Sequence, residues 1–166
     1  MNAYRERILG LLGADEPLEV LERTPRRLRE LLEALGRPGL DRPFGPEKWT
    51  ARQVFAHLAD VEQAAGFRIR QIVTGGAGHV IQPFDQDAWA RTYSRLDARA
   101  AVRAHEALRA WNLSYYRTLE PSDLARVGLH PERGEESVET TIRMLAGHDR
   151  NHLAQLERIA AEAGAP

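Results

Sequence analysis

Two histidines, His148 and His152, stand four residues apart in Gly147-His148-Asp149-Arg150-Asn151-His152. At 3.6 residues per turn that spacing puts both imidazoles on one helix face, one turn apart, where they can grip a single metal ion. His152 falls inside an apolar stripe beside Leu145 and Leu156, and His148 at its border, so both are predicted to point inward. Taken alone, such a pair is common on solvated helices. A third histidine, His57 in Ala56-His57-Leu58-Ala59-Asp60, borders the stripe of another helix, with Val54 and Val61 as neighbours. Burying three imidazoles without partners costs several kcal/mol, a cost that one divalent ion shared among them would remove. Three protein nitrogens leave at least one coordination position open, the pattern of catalytic rather than structural sites.

The elements that must position these residues are helical. A first amphipathic segment covers about Tyr4 to Leu12. A second runs from Leu18 to Leu35, with a break or restart expected at Thr24-Pro25 and a stop at Gly36. Arg37 to Trp49 reads as loop because of its prolines and glycines (Pro38, Gly39, Pro43, Gly45 and Pro46). Thr50 and Gln53 form a capping box that opens a helix to Thr74, on which His57 sits, and Gly75-Gly76-Ala77-Gly78 closes it. Asp97 caps the next helix, to about Leu119, with Leu108, Trp111, Tyr115 and Leu119 predicted to face inward. The last runs from Ser137 to Glu162 and carries the histidine pair. No strand pattern is visible. The expected fold is all-α, a four-helix bundle with long connections, in a single domain over residues 1–166.

Composition narrows the chemistry. There is no cysteine among the 166 residues, which excludes disulfides, thiolate metal sites and a cysteine nucleophile. A net charge of −1, from 23 Lys+Arg against 24 Asp+Glu, gives no reason to expect nucleic-acid binding. No apolar run approaches a membrane span, and the polar opening from Met1 to Arg7 is unlike a signal peptide, so a cytoplasmic protein is expected. Of the other histidines, His105 reads as structural, and His79 and His130 as loop residues. Gly75 to Gly78 lacks the strand and the Gly-Lys that a phosphate loop needs. The run Arg23 to Arg29, interleaved with Glu22, Glu30 and Glu33, reads as a solvated face.

His57-Leu58-Ala59-Asp60 after the Trp49-Thr50 helix start, together with His148-Asp149-Arg150-Asn151-His152-Leu153-Ala154-Gln155, resembles the two signatures of the DinB family, also called YfiT-like. The resemblance spans about Leu18 to Ile159 in helix order and loop positions. It implies a four-helix bundle with His57, His148 and His152 holding a divalent ion (zinc or nickel foremost, iron or manganese otherwise), and a homodimer. It also implies S-transfer or isomerisation dependent on a low-molecular-weight thiol. Because this chain has no cysteine, the thiol would be a separate co-substrate, joined to a small electrophile in detoxification or stress. Asp149, and less favourably Asp60, are candidates to hold an imidazole N–H. Two alternatives stand beside this reading. One is metal-assisted hydrolysis with Asp60, Glu62 or Asp149 as base; the other is a non-catalytic, stress-induced scaffold braced by a structural metal.

Overall fold

The computed structural model describes residues 3–43, 45, 48–76, 78–162 and 164; Met1, Asn2, Pro46 and Ala77 of the segments above lie outside them. Helix α1 (Ala3–Leu12) is followed by α2 (Pro17–Leu40) and α3 (Ala51–Thr74). A short α4 (Gln86–Ala90) and a 3-10 turn (Tyr93–Arg95) lead to α5 (Ala98–Tyr116). After α6 (Pro121–Leu124) comes a hairpin of β1 (Val127–His130) and β2 (Gly134–Ser137), and then α7 (Val138–Glu162). The long helices α2, α3, α5 and α7 form the bundle, with α1 laid along α7. Around the ring α2 neighbours α5 and α7, which both also flank α3, so α2 and α3 lie across the diagonal although consecutive in sequence. Among the described residues no helix is long and apolar enough to cross a membrane.

Local chemistry accounts for the helix starts. The Thr50 hydroxyl accepts the Gln53 amide at 3.3 Å, and the Gln53 side chain accepts the Thr50 amide at 2.8 Å, the expected capping box. Asp97 accepts from the Arg99 amide at 2.9 Å. The break expected at Thr24-Pro25 is absent, and α2 runs straight through Pro25. Pro25 has no N–H for the Leu21 carbonyl four residues back, and the Arg109 side chain supplies the missing donor at 2.8 Å. The interruption falls instead at Gly36, at φ 56°, after which one more turn reaches Leu40 inside the segment read as loop.

Two further expectations are corrected. The hairpin was not legible: β1 and β2 have four residues each, contain Gly128, Gly134 and two glutamates, and pair antiparallel from Val127–Ser137 to His130–Gly134. On α5 the inward face is rotated from the one predicted. Trp111 is 67% exposed and Leu108 only partly buried, whereas Tyr115 and Leu119, the latter beyond the helix end, pack partly buried against the edge of the core as expected. The buried positions are instead Val102, His105, Arg109, Asn112, Leu113 and Tyr116. Three of these are polar, so a search for an apolar stripe settles on the wrong side of the helix.

The reason lies in the core, which has two apolar halves. One gathers Leu28, Leu32, Phe55, Leu58, Val102 and Leu156; the other gathers Leu21, Ala65, Ile69, Leu113, Ile142 and Leu145. Along every bundle helix the switch from one half to the other falls at a polar layer. On α3 it spans His57 to Glu62, on α5 it lies between Val102 and Leu113, and on α7 between Ala146 and Leu156. His57, Glu62, His105, Arg109, Asn112, His148, Asp149 and His152 occupy that layer, all buried.

Candidate metal centre

The neighbouring helices α3 and α7 bring His57, His148 and His152 together, with one ring nitrogen from each within 4.8 Å of the others. His57 Nε2 and His148 Nε2 are 3.0 Å apart. The rings of His57 and His152 are 4.9 Å apart and those of His148 and His152 4.4 Å, both near edge-on. His57 is 1% exposed, and the other two 9% each. A tetrahedral ion with zinc–nitrogen bonds of 2.0–2.1 Å holds its ligand nitrogens about 3.3 Å apart, so the His57–His148 spacing is close to what a shared ion requires.

The electrostatics favour the lone-pair form of each ring. Burial, reinforced by His152, pushes His57 down to about 3. Burial, followed by His152 and His57, holds His148 well below the usual imidazole range. His152 is also lowered by burial, against the opposing effect of its bond to Gln155. Neutral imidazole is the form that ligates metals. Gln155 Oε1 lies 3.0 Å from His152 Nδ1, so it accepts a hydrogen bond there and leaves the lone pair on Nε2. Nδ1 of His57 and Nδ1 of His148 are buried without hydrogen-bond partners. Two facing Nε2 atoms and two orphaned ring nitrogens make a poor hydrogen-bonded cluster. A three-imidazole donor set suits zinc, nickel, copper or iron. These residues fit a divalent ion.

Trp49 walls one side, its ring 4.8 Å from that of His57, and Tyr93 stands behind. The Tyr93 hydroxyl is pushed up by burial and then by the nearby Asp60. Asp149, expected to hold an imidazole N–H, instead accepts from Arg109 through both oxygens, at 2.7 and 3.2 Å. Glu62 also binds Arg109, Oε2 accepting from Nε at 2.9 Å, while Asn112 donates to its other oxygen at 2.8 Å. His105 is buried and bonded to the same guanidinium. Sequence reading missed Arg109, Asn112 and Gln155. A signal for Gln155 was present, since it sits three residues after His152 and so on the same face. For Arg109 none was, because a buried arginine cannot be told from a surface one by spacing.

His148 also reaches a cavity of about 710 Å³ with an apolar wall of Val61, Ala65, Ile81 and Met144. Arg68, Arg133 and Glu136 line its polar side, and Glu136, 2% exposed, takes Arg133 in a two-pronged ion pair.

Such a bundle, with three convergent histidines beside a cavity, defines a metal-binding helical protein. Comparison with known proteins gives it a family: the DinB superfamily model matches residues 20–156, and the chain belongs to that superfamily. Among its relatives, a protein of Oceanobacillus iheyensis is 34% identical over 146 residues, covering 87% of this chain and 84% of the relative. YfiT of Bacillus subtilis is 26% identical over 153 residues, covering 90% and 85%. Both bear the name "Putative metal-dependent hydrolase". The solved structure of YfiT, a four-helix bundle of unusual topology, superposes with a TM-score of 0.85 at 25% identity over 90% of this chain and 87% of that one. A mutant of a mycothiol-dependent maleylpyruvate isomerase superposes with a TM-score of 0.66 at 15% identity, over 100% of this chain and 65% of that one, a likeness of fold.

Proposed function

We propose that His57, His148 and His152 hold one divalent ion, zinc or nickel foremost, and that the chain joins a low-molecular-weight thiol to a small electrophile taken from the adjoining cavity. When bound, the ion supplies Lewis acidity that favours a thiolate at neutral pH. The observation that carries this reading is how the carboxylates nearest the histidines in sequence are engaged. Glu62 and Asp149 are both bound to Arg109, and Asp60 stands against Tyr93. Glu62 and Asp149 are thus held away from a general-base role on a water, whereas thiol transfer needs binding and orientation more than a base. Gln155 fixes the His152 tautomer. Val61, Ala65 and Met144 give the adjoining cavity an apolar wall, and the Trp49 ring packs against His57.

Metal-assisted hydrolysis is the second reading, favoured by the names of the relatives. One experiment separates the two. Purified protein loaded in turn with zinc, nickel, iron and manganese is assayed for conjugation of several bacterial thiols to model electrophiles, and for ester and amide cleavage without thiol. Thiol-dependent turnover, abolished by His57→Ala, is the expected result. Cleavage without thiol overturns the first reading in favour of the second, and no turnover in either assay leaves only the metal-braced scaffold.

A further inference from the structure

Arg109 is the largest fully buried side chain among the described residues, at 1% exposure. Every N–H on its guanidinium is engaged. Nε donates to Glu62 Oε2 at 2.9 Å. Nη1 donates to the Leu21 carbonyl at 2.8 Å and to Asp149 Oδ2 at 2.7 Å. Nη2 reaches Asp149 Oδ1 at 3.2 Å, His105 Nε2 at 3.3 Å and Glu62 Oε2 at 2.7 Å. These partners lie on all four bundle helices. The Leu21 carbonyl is available because Pro25 cannot occupy it. Glu62 lies five positions after His57 on α3, and Asp149 directly follows His148 on α7. One rigid fork thus spans the two helices whose separation decides whether the three imidazoles converge.

Stability alone does not explain such a cluster, since a buried ion network is often no more stabilising than apolar residues of equal volume. What it does specify is register. Its charge also has a direction: one guanidinium between two carboxylates leaves the layer formally negative beside three neutral rings, a field that favours a cation.

We propose that Arg109 is a positioning residue for the three histidines, clamping α3 to α7 through Glu62 and Asp149 at the spacing a shared ion requires. This rests on the reading of His57, His148 and His152 as a metal site. Arg109→Lys keeps the charge but loses the planar fork. The test compares it with Leu32→Ala, a core truncation on α2, which carries none of the three histidines. Three readouts are taken: zinc affinity by competition with a chromophoric chelator, the visible spectrum of the cobalt-loaded protein, and the melting temperature.

The expected result is a 10- to 100-fold loss of zinc affinity and a changed cobalt spectrum for Arg109→Lys. Leu32→Ala should lower the melting temperature while keeping wild-type affinity. Should Arg109→Lys fail to fold, Asp149→Asn, which loosens the clamp at α7 alone, should give the same loss and spectral change. Wild-type affinity in the clamp variants, or losses that merely track stability in all of them, overturns the proposal. If the wild-type chain binds zinc at one ion per chain while that happens, the metal reading stands and only the clamp falls. If the wild-type chain binds no zinc, both fall.

Discussion

His57 and His105 are buried at the cost of their protons. Folded, they titrate at about 3 and about 4, each displaced mainly by burial, against 6.5 in an open chain. Below pH 6.5 the unfolded chain therefore takes up protons that the folded chain refuses, so stability is complete above that pH and declines on acidification. His105 alone accounts for a loss on the order of 2 kcal/mol by pH 5. Urea unfolding of the chelator-treated protein should show a clearly lower midpoint at pH 5 than at pH 7.5. A midpoint unchanged between them would mean that these rings are solvated rather than buried. The histidines were legible because type, spacing and apolar neighbours agreed. The partners of Asp149 and Asp60 were not, since each depends on which helix packs opposite, and Arg109 and Tyr93 are distant in sequence.

Among the elements, α1 has a specific seat. A Cβ at Gly147 of α7 would lie 2.1 Å from the Ile8 carbonyl oxygen of α1, a distance no side chain tolerates. Gly147→Ala should therefore displace α1, with a stability loss of about 1–3 kcal/mol and faster proteolytic cleavage between residues 3 and 12. Unchanged protection of that segment would show that α1 is not seated there. Helix limits set by caps, such as Thr50–Gln53 and Asp97, could be read locally because both partners lie within one turn. The continuity of α2 through Pro25 could not, because the group that takes over the Leu21 carbonyl comes from α5. The wrong face of α5 has the same origin. Its inward positions hold His105, Arg109 and Asn112, and hydrophobic periodicity is blind to polar residues satisfied only in three dimensions.

At the scale of the whole molecule, two apolar halves meet at a polar layer containing the three unprotonated rings of the candidate metal centre, so occupancy and stability should be linked. At zinc or nickel concentrations 100-fold above the dissociation constant, binding adds about 2.7 kcal/mol, raising the melting temperature of a chain this size by roughly 5–10 °C. Chelator should reverse the shift, and a melting temperature indifferent to both would argue against a site at this layer. The same architecture places one indole against His57 while Trp111 faces solvent, 67% exposed. Trp49 is thereby a built-in optical gauge. Nickel or cobalt, whose unpaired electrons dissipate excitation over short range, should darken Trp49 first, whereas iodide in the solvent should reach Trp111 and the 38% exposed Trp89 first, so metal entry can be followed without attaching any dye.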